Sequence, residues 1–290
     1  MAVLTETIAL DSPHVGSSLA DHWSTVNGLR MFSRVSAGPA APDAIPIVHI
    51  HGFAISGRYL EPTANLLANH YPTYVPDLPG HGRSERPPRQ PDIPGLAESL
   101  VGYLDAMELP RVVLLGNSTG CLVAAELAHR FPDRVERGIL VSPAGGPYNQ
   151  PFPRAIAQLA RDGLREPIGL AGIAIPDYLR FGLVRSFRAF HRMTRYPTVE
   201  RLSALPVPFM AIMGMKDPLI SVAQMKSIFD SPADIDLVYH FDSAHAINYS
   251  HPEALARVAH AYLQGEPLRA LFEQGEIVAQ LTDIRSDETR

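Results

Sequence analysis

One cysteine, Cys121, stands in a chain of 290 residues, which excludes an internal disulfide and a zinc knuckle. Lysine is nearly as scarce. Lys216 and Lys226 are the only lysines among 25 basic residues, so almost all positive charge is arginine. No stretch approaches the ~18 uncharged apolar residues that a membrane-spanning helix needs. Met1 to Leu10 lacks the basic start and apolar run of a signal peptide. These absences predict a cytoplasmic protein with no membrane partner. A net charge of −5 argues against nucleic acid as a partner. The 46% hydrophobic content argues against disorder, and a chain this long buries roughly 75% of its unfolded surface. The 27 prolines are scattered through predicted turns and form no repeat.

Short β-branched runs alternate with longer helical patterns, the arrangement of a parallel sheet covered by helices on both faces. Strands are predicted at Pro46–His51, Thr73–Asp77, Arg111–Leu115, Gly138–Val141, Pro208–Met213 and Asp236–Phe241. A hairpin from about Thr25 to Val35, turning at Asn27-Gly28, supplies the antiparallel edge. Helices are expected at Leu96–Met107, Cys121–His129, Ser221–Phe229 and Pro252–Leu263, with one more over Pro267–Leu281. Between Val141 and Pro208 no strand is convincing. Arg154–Arg165 and Asp177–Met193 read as amphipathic helices there. Pro147–Leu205 is therefore expected to be a helical cap inserted between two pieces of a core, residues 1–146 and 206–290.

The chemistry concentrates at Gly116-Asn117-Ser118-Thr119-Gly120, a G-x-S-x-G run between a strand and a helix. A serine on such a sharp turn projects its hydroxyl above the sheet. Glycines two residues to either side avoid collision with neighbouring backbone, and the helix N-terminus favours developing negative charge. Serine needs a base, and the base needs an orienting acid. Asp217 follows one predicted strand and His245 the last, so both converge with Ser118 at the carboxyl edge of the sheet. Asp242 is too close to His245 in sequence to orient its ring from across a pocket. Asp77 precedes the serine, in a turn-like Asp77-Leu-Pro-Gly-His-Gly-Arg-Ser84, and His251 suits a helix start before Pro252. The amides of Phe53, after His51-Gly52, and of Thr119 are the natural donors to a tetrahedral oxyanion. His51 is expected to brace that loop. Cys121 is read as a small buried helix residue, not a reactive thiol.

Taken together, His51-Gly52-Phe53, the Asp77–Ser84 run, Gly116–Gly120, Asp217 and His245 resemble the α/β-hydrolase superfamily, in its esterase-like branch with a helical cap. The resemblance covers roughly Thr25 to Leu263. It implies a mostly parallel eight-stranded sheet, a Ser–Asp–His triad and an acyl-enzyme mechanism without cofactor or metal. It does not fix a substrate, because the superfamily includes esterases, thioesterases, lactonases, amidases and C–C bond hydrolases. Serine at position 118 departs from the dehalogenase and epoxide hydrolase branches, which carry aspartate there. Cys121 stands where C–C bond hydrolases often carry another glycine. Ester hydrolysis is the first expectation, thioester or C–C cleavage the second, and a hydrolase-like ligand receptor a third of another class.

The predicted cap holds nine arginines against Asp162, Glu166, Asp177 and Glu200, a surplus of +5 that leaves −10 on the rest of the chain. Arg185, Arg188 and Arg192 recur at helical spacing on one face, with Leu183, Val184, Phe187 and Phe190 around them. One reading is a solvated helix face. The other is a substrate site in which Phe187 meets an apolar acyl chain while Arg188 and Arg192 attract an anionic substrate or an acidic carrier such as acyl carrier protein.

Overall fold

In the computed structural model, residues 19–37, 44–229, 235–240, 242–268 and 279–282 are described. The chain runs β1 (Leu19–Val26), β2 (Leu29–Ser36), β3 (Ile47–Ile50), α1 (Glu61–Leu67), β4 (Thr73–Pro76), α2 (Ile93–Ala106), β5 (Val112–Asn117), α3 (Thr119–Arg130) and β6 (Val135–Val141). Four helices follow: α4 (Phe152–Gly163), α5 (Ile168–Phe181), α6 (Leu183–Met193) and α7 (Thr198–Leu202). The chain then returns through β7 (Phe209–Gly214), α8 (Val222–Phe229), β8 (Ile235–His240), α9 (Ile247–Ser250), α10 (Pro252–Gln264) and β9 (Ala279–Thr282).

The nine strands form one sheet in the order β1-β2-β4-β3-β5-β6-β7-β8-β9. From β4 through β8 all neighbours are parallel, while β1, β2 and β9 pair antiparallel at the two edges. Strands β1 to β8 are the eight-stranded, mostly parallel sheet of the α/β-hydrolase fold. Strand β9 adds a ninth at the β8 edge. Residues 279–282 are thus strand and not the end of a helix, and residues 269–278 of the expected Pro267–Leu281 helix lie outside the described residues.

The apolar runs are continuous because both faces of the sheet are covered. Val112 and Leu114 point into a core shared with α2, α3 and α8, whereas Val113 and Leu115 point into another shared with α1 and α10. The same alternation divides Phe209, Ala211 and Met213 from Met210 and Ile212. Side chains alternate faces along a strand, so each run needs apolar residues at every position. Each Leu, Ile or Val buried in this way contributes about 2 kcal/mol. The hairpin turns at Asn27 and Gly28 as expected, both at positive φ, and pairs Val26 with Leu29, but its first strand begins at Leu19, earlier than the expected Thr25.

Two helical expectations change. Asp177–Met193 is not one helix: Gly182, at φ +99°, breaks it and separates α5 from α6. Helix α1, which the sequence reading leaves out, packs beneath the sheet against α10. No helix among the described residues is long and apolar enough to cross a membrane.

Candidate active site

Ser118 ends β5 and opens α3 with φ 56° and ψ −121°, a backbone conformation that side chains rarely adopt. Such strain typically costs ~1–3 kcal/mol and persists only where the surroundings impose it. The imposition is visible in the flanking glycines. A Cβ on Gly116 would lie 2.6 Å from the Gly120 carbonyl, and one on Gly120 only 2.1 Å from the Ile50 oxygen. Strand β3, the turn and α3 are thus packed backbone to backbone around Ser118.

The carboxyl ends of β7 and β8 bring in the other two groups. Asp217 is fully buried at its carboxylate, where Oδ1 accepts from the Leu219 amide at 2.8 Å and Oδ2 meets His245 Nδ1 at 2.6 Å. Asn117, next to the serine, donates from Nδ2 to the His245 carbonyl at 3.2 Å. The histidine loop is therefore tied to the serine turn itself. His245 Nε2 is buried and has no hydrogen-bond partner among the described residues. Burial pulls the imidazole pKa down, but Asp217, by charge and hydrogen bond, and Asp162 and Glu166, by charge, outweigh it and raise the value to about 9.

The expected oxyanion loop is equally constrained. Gly52 donates its amide to Tyr59 at 2.9 Å, and the Tyr59 hydroxyl donates to Asn117 Oδ1 at 2.6 Å. That leaves the next amide, of Phe53, as the donor this loop can offer. Thr119 is the first residue of α3, so its amide is one of the helix's orphan donors. His51 does brace the loop: its Nδ1 pairs with the Gly52 carbonyl at 2.8 Å, and its Nε2 accepts from the Leu78 amide at 2.9 Å. Burial lowers its pKa to about 4, so it stays neutral.

The rival residues have other work. Asp77 is buried beneath the turn, accepting from the amides of Gly57 and Arg83 and pairing with Arg34. Asp242 is exposed and paired with Lys216. The His251 ring lies tilted against that of His240, 4.4 Å between centroids. Cys121 is buried, its thiol donates to the Gly116 carbonyl, and burial pushes its pKa up.

Helices α4 to α6 reach every part of this arrangement. The Phe53 ring meets Tyr178, Phe181 and Phe190, with Phe190 at 5.3 Å between centroids. Thr119 Oγ1 donates to Met193 Sδ at 3.0 Å, and Asp177 accepts from the Ser56 amide at 2.8 Å. Glu166 accepts from the Ala246 amide at 2.7 Å. Burial raises Asp162 to about 7, and its Oδ1 has no hydrogen-bond partner among the described residues. Sequence reasoning missed Asp162 and Glu166 as neighbours of the histidine. Their only sequence signal is two acids in an arginine-rich segment.

A cavity of about 790 Å³ opens beside the site. Gly52, Phe53 and Thr119 form its inner wall, whereas Ser118 and His245 are not among its lining residues. Arg188 and Arg192 line it as expected near a rim, but Phe187 does not. Phe187 is 56% exposed and packs edge-on against Phe152 at 4.8 Å, on the outer side of α6. The inner apolar surface is supplied by Phe53 and Phe181 instead.

The model of the alpha/beta hydrolase family matches residues 47–258. An uncharacterized protein of Mycobacterium tuberculosis is 35% identical over 123 residues, covering 42% of this chain and 34% of that one. This chain thus spans about a third of that relative's length. A pimeloyl-[acyl-carrier protein] methyl ester esterase of Neisseria meningitidis is 27% identical over 251 residues, or 77% of this chain and 96% of that protein. Among solved structures, the enol-lactonase of Burkholderia xenovorans superposes with a TM-score of 0.71 at 23% identity, covering 84% of this chain and all of its own.

Proposed function

The chain belongs to the alpha/beta hydrolase family, and from that premise we propose that it is a serine hydrolase that cleaves carboxylic esters through an acyl-enzyme. The observation that carries this reading is the Asp217–His245 contact of 2.6 Å, on a loop that Asn117 ties to the strained Ser118 turn. Esterase relatives such as the one from Neisseria meningitidis support the ester preference.

In this mechanism Ser118 Oγ attacks the ester carbonyl carbon while His245 Nε2 takes its proton. Asp217 holds the Nδ1–H tautomer and stabilises the imidazolium. Negative charge gathers on the former carbonyl oxygen, facing the Phe53 and Thr119 amides, where one donor is typically worth ~3–4 kcal/mol. Collapse breaks the ester C–O bond, and His245 returns the proton to the departing alcohol. Water then attacks the acyl-enzyme with His245 again as base, releasing the acid and restoring Ser118. Helices α4 to α7 serve as the cap, positioning Phe53, Thr119 and the histidine loop from above.

The test is turnover of a neutral p-nitrophenyl ester. Ser118→Ala should lower kcat by at least ~10³, since positioning alone leaves only residual catalysis. A rate retained in that variant overturns the mechanism.

A further inference from the structure

Five arginines line the cavity beside the site: Arg89 from the segment before α2, Arg185, Arg188 and Arg192 from α6, and Arg195 just after it. Among the described residues Asp92 is the one carboxylate lining it, and that side chain already accepts from the Gly95 amide as the cap of α2. None of the five guanidinium groups forms an ion pair or a side-chain hydrogen bond among the described residues. Several arginines elsewhere are paired: Arg34 with Glu61 and Asp77, Arg111 with Glu136, Arg130 with Glu98 and Arg134 with Asp105.

Five like charges gathered against a single carboxylate repel one another, so this cluster raises the free energy of the empty cavity and lowers that of an anion within it. Low-dielectric walls strengthen the effect by focusing the field. Those walls are here: Phe53 and Phe181 line the same space as the arginines, and so does Thr119. An ester bound at Ser118 can extend past the Phe53 and Thr119 amides toward the arginine rim.

We propose that the cavity selects esters bearing an anionic group, a carboxylate or a phosphate, which the Arg89/Arg185/Arg188/Arg192/Arg195 cluster holds while the ester lies at Ser118. This rests on the serine hydrolase reading and adds the substrate class to it. Planar guanidinium forks suit both anions, which they bind in bidentate fashion. Most of the five are solvent-exposed, so the preference is electrostatic and salt-sensitive.

The experiment compares a p-nitrophenyl ester carrying a terminal carboxylate with its neutral isostere, and repeats the comparison with a terminal phosphate. In low salt the kcat/KM ratio of charged to neutral ester should be about tenfold or more. It should shrink toward one at about 0.5 M salt, where screening falls to a few ångströms. Arg188→Ala with Arg192→Ala should collapse the ratio, while Arg161→Ala, a cap arginine outside the cavity, should leave it unchanged. A larger ratio for the phosphate ester than for the carboxylate identifies phosphate as the preferred anion, and the reverse identifies carboxylate. A ratio near one in the wild type, or equal responses to the cavity and Arg161 substitutions, overturns the proposal.

Calorimetric titration of the Ser118→Ala protein with glutarate and with inorganic phosphate separates the two readings. Binding that the Arg188/Arg192 double substitution abolishes supports the anion site, even if the wild type hydrolyses no ester; in that case only the mechanism fails. Ester hydrolysis without anion binding or charge preference leaves the mechanism and removes the anion site.

Discussion

The sheet with its flanking helices and the helical insertion between β6 and β7 solve different physical problems. In the sheet region the groups that frame the serine turn are committed. Asp77 accepts from two backbone amides and pairs with a buried arginine, and Asn117 uses both ends of its amide. In the insertion, chemistry is left over. Its cavity arginines are unpaired, and Leu164, Ile168, Ile175, Leu179, Leu183 and Val184 are exposed. Committed groups hold a serine, an acid and a base to fixed positions. Uncommitted ones are what a site needs for selecting what reaches them.

The sharpest way to break that contrast is to add one methyl group to each region. Gly120→Ala drives a Cβ to 2.1 Å from the Ile50 oxygen and should cost ~3 kcal/mol or prevent folding, read as a lowered urea midpoint. Gly172→Ala, in α5, meets nothing within 4 Å and should be neutral or stabilising by ~0.5–1 kcal/mol. Comparable losses from both would show that the insertion is packed as tightly as the sheet.

Short of a failure to fold, the largest effect is that of the acid. Asp217→Asn should lower kcat by ~10⁴ through the wrong imidazole tautomer, whereas Asp242→Asn, on an exposed ion pair, should leave kcat unchanged. Equal effects would move the orienting role to Asp242.

A smaller effect crosses the boundary between the regions. His245 must be neutral to act as base, and its pKa is raised to about 9, so kcat/KM should climb as pH rises through that value. The folded chain binds this proton more tightly than the unfolded chain, whose histidine titrates near 6.5. The stability it contributes is therefore full below about pH 6.5 and is lost as pH rises through about 9. Asp162→Asn removes one of the charges raising it and should shift the activity rise to lower pH. An unmoved profile would mean that the insertion does not tune the base. The smallest effect belongs to Phe187→Ala, on the outer side of α6, which should change ester kcat/KM by less than about twofold.

The sheet was legible in the sequence because burial on both faces favours continuous apolar runs, as in Val112–Leu115 of β5 and Phe209–Met213 of β7. The positions of Ser118, Asp217 and His245 at the carboxyl edge of the sheet were legible because each follows a strand, beside turn residues. Periodicity was less informative in the insertion. The Gly182 break is a backbone conformation at one residue inside a continuous helical pattern, and exposed and inward faces of α6 carry similar residues. Phe187 reads as a pocket residue from its place beside the arginines, yet only tertiary packing decides that Phe53 and Phe181 line the cavity instead. The proximity of Asp162 and Glu166 to His245 joins residues about eighty positions apart, beyond any local pattern.

The central claim is that Ser118 is a nucleophile activated by His245 and Asp217. Labelling the folded protein with a fluorophosphonate and locating the adduct by peptide mass spectrometry tests it most directly. The account predicts a single adduct on Ser118, formed slowly or not at all in His245→Ala. An adduct on another residue, or none on the wild-type protein, would contradict it.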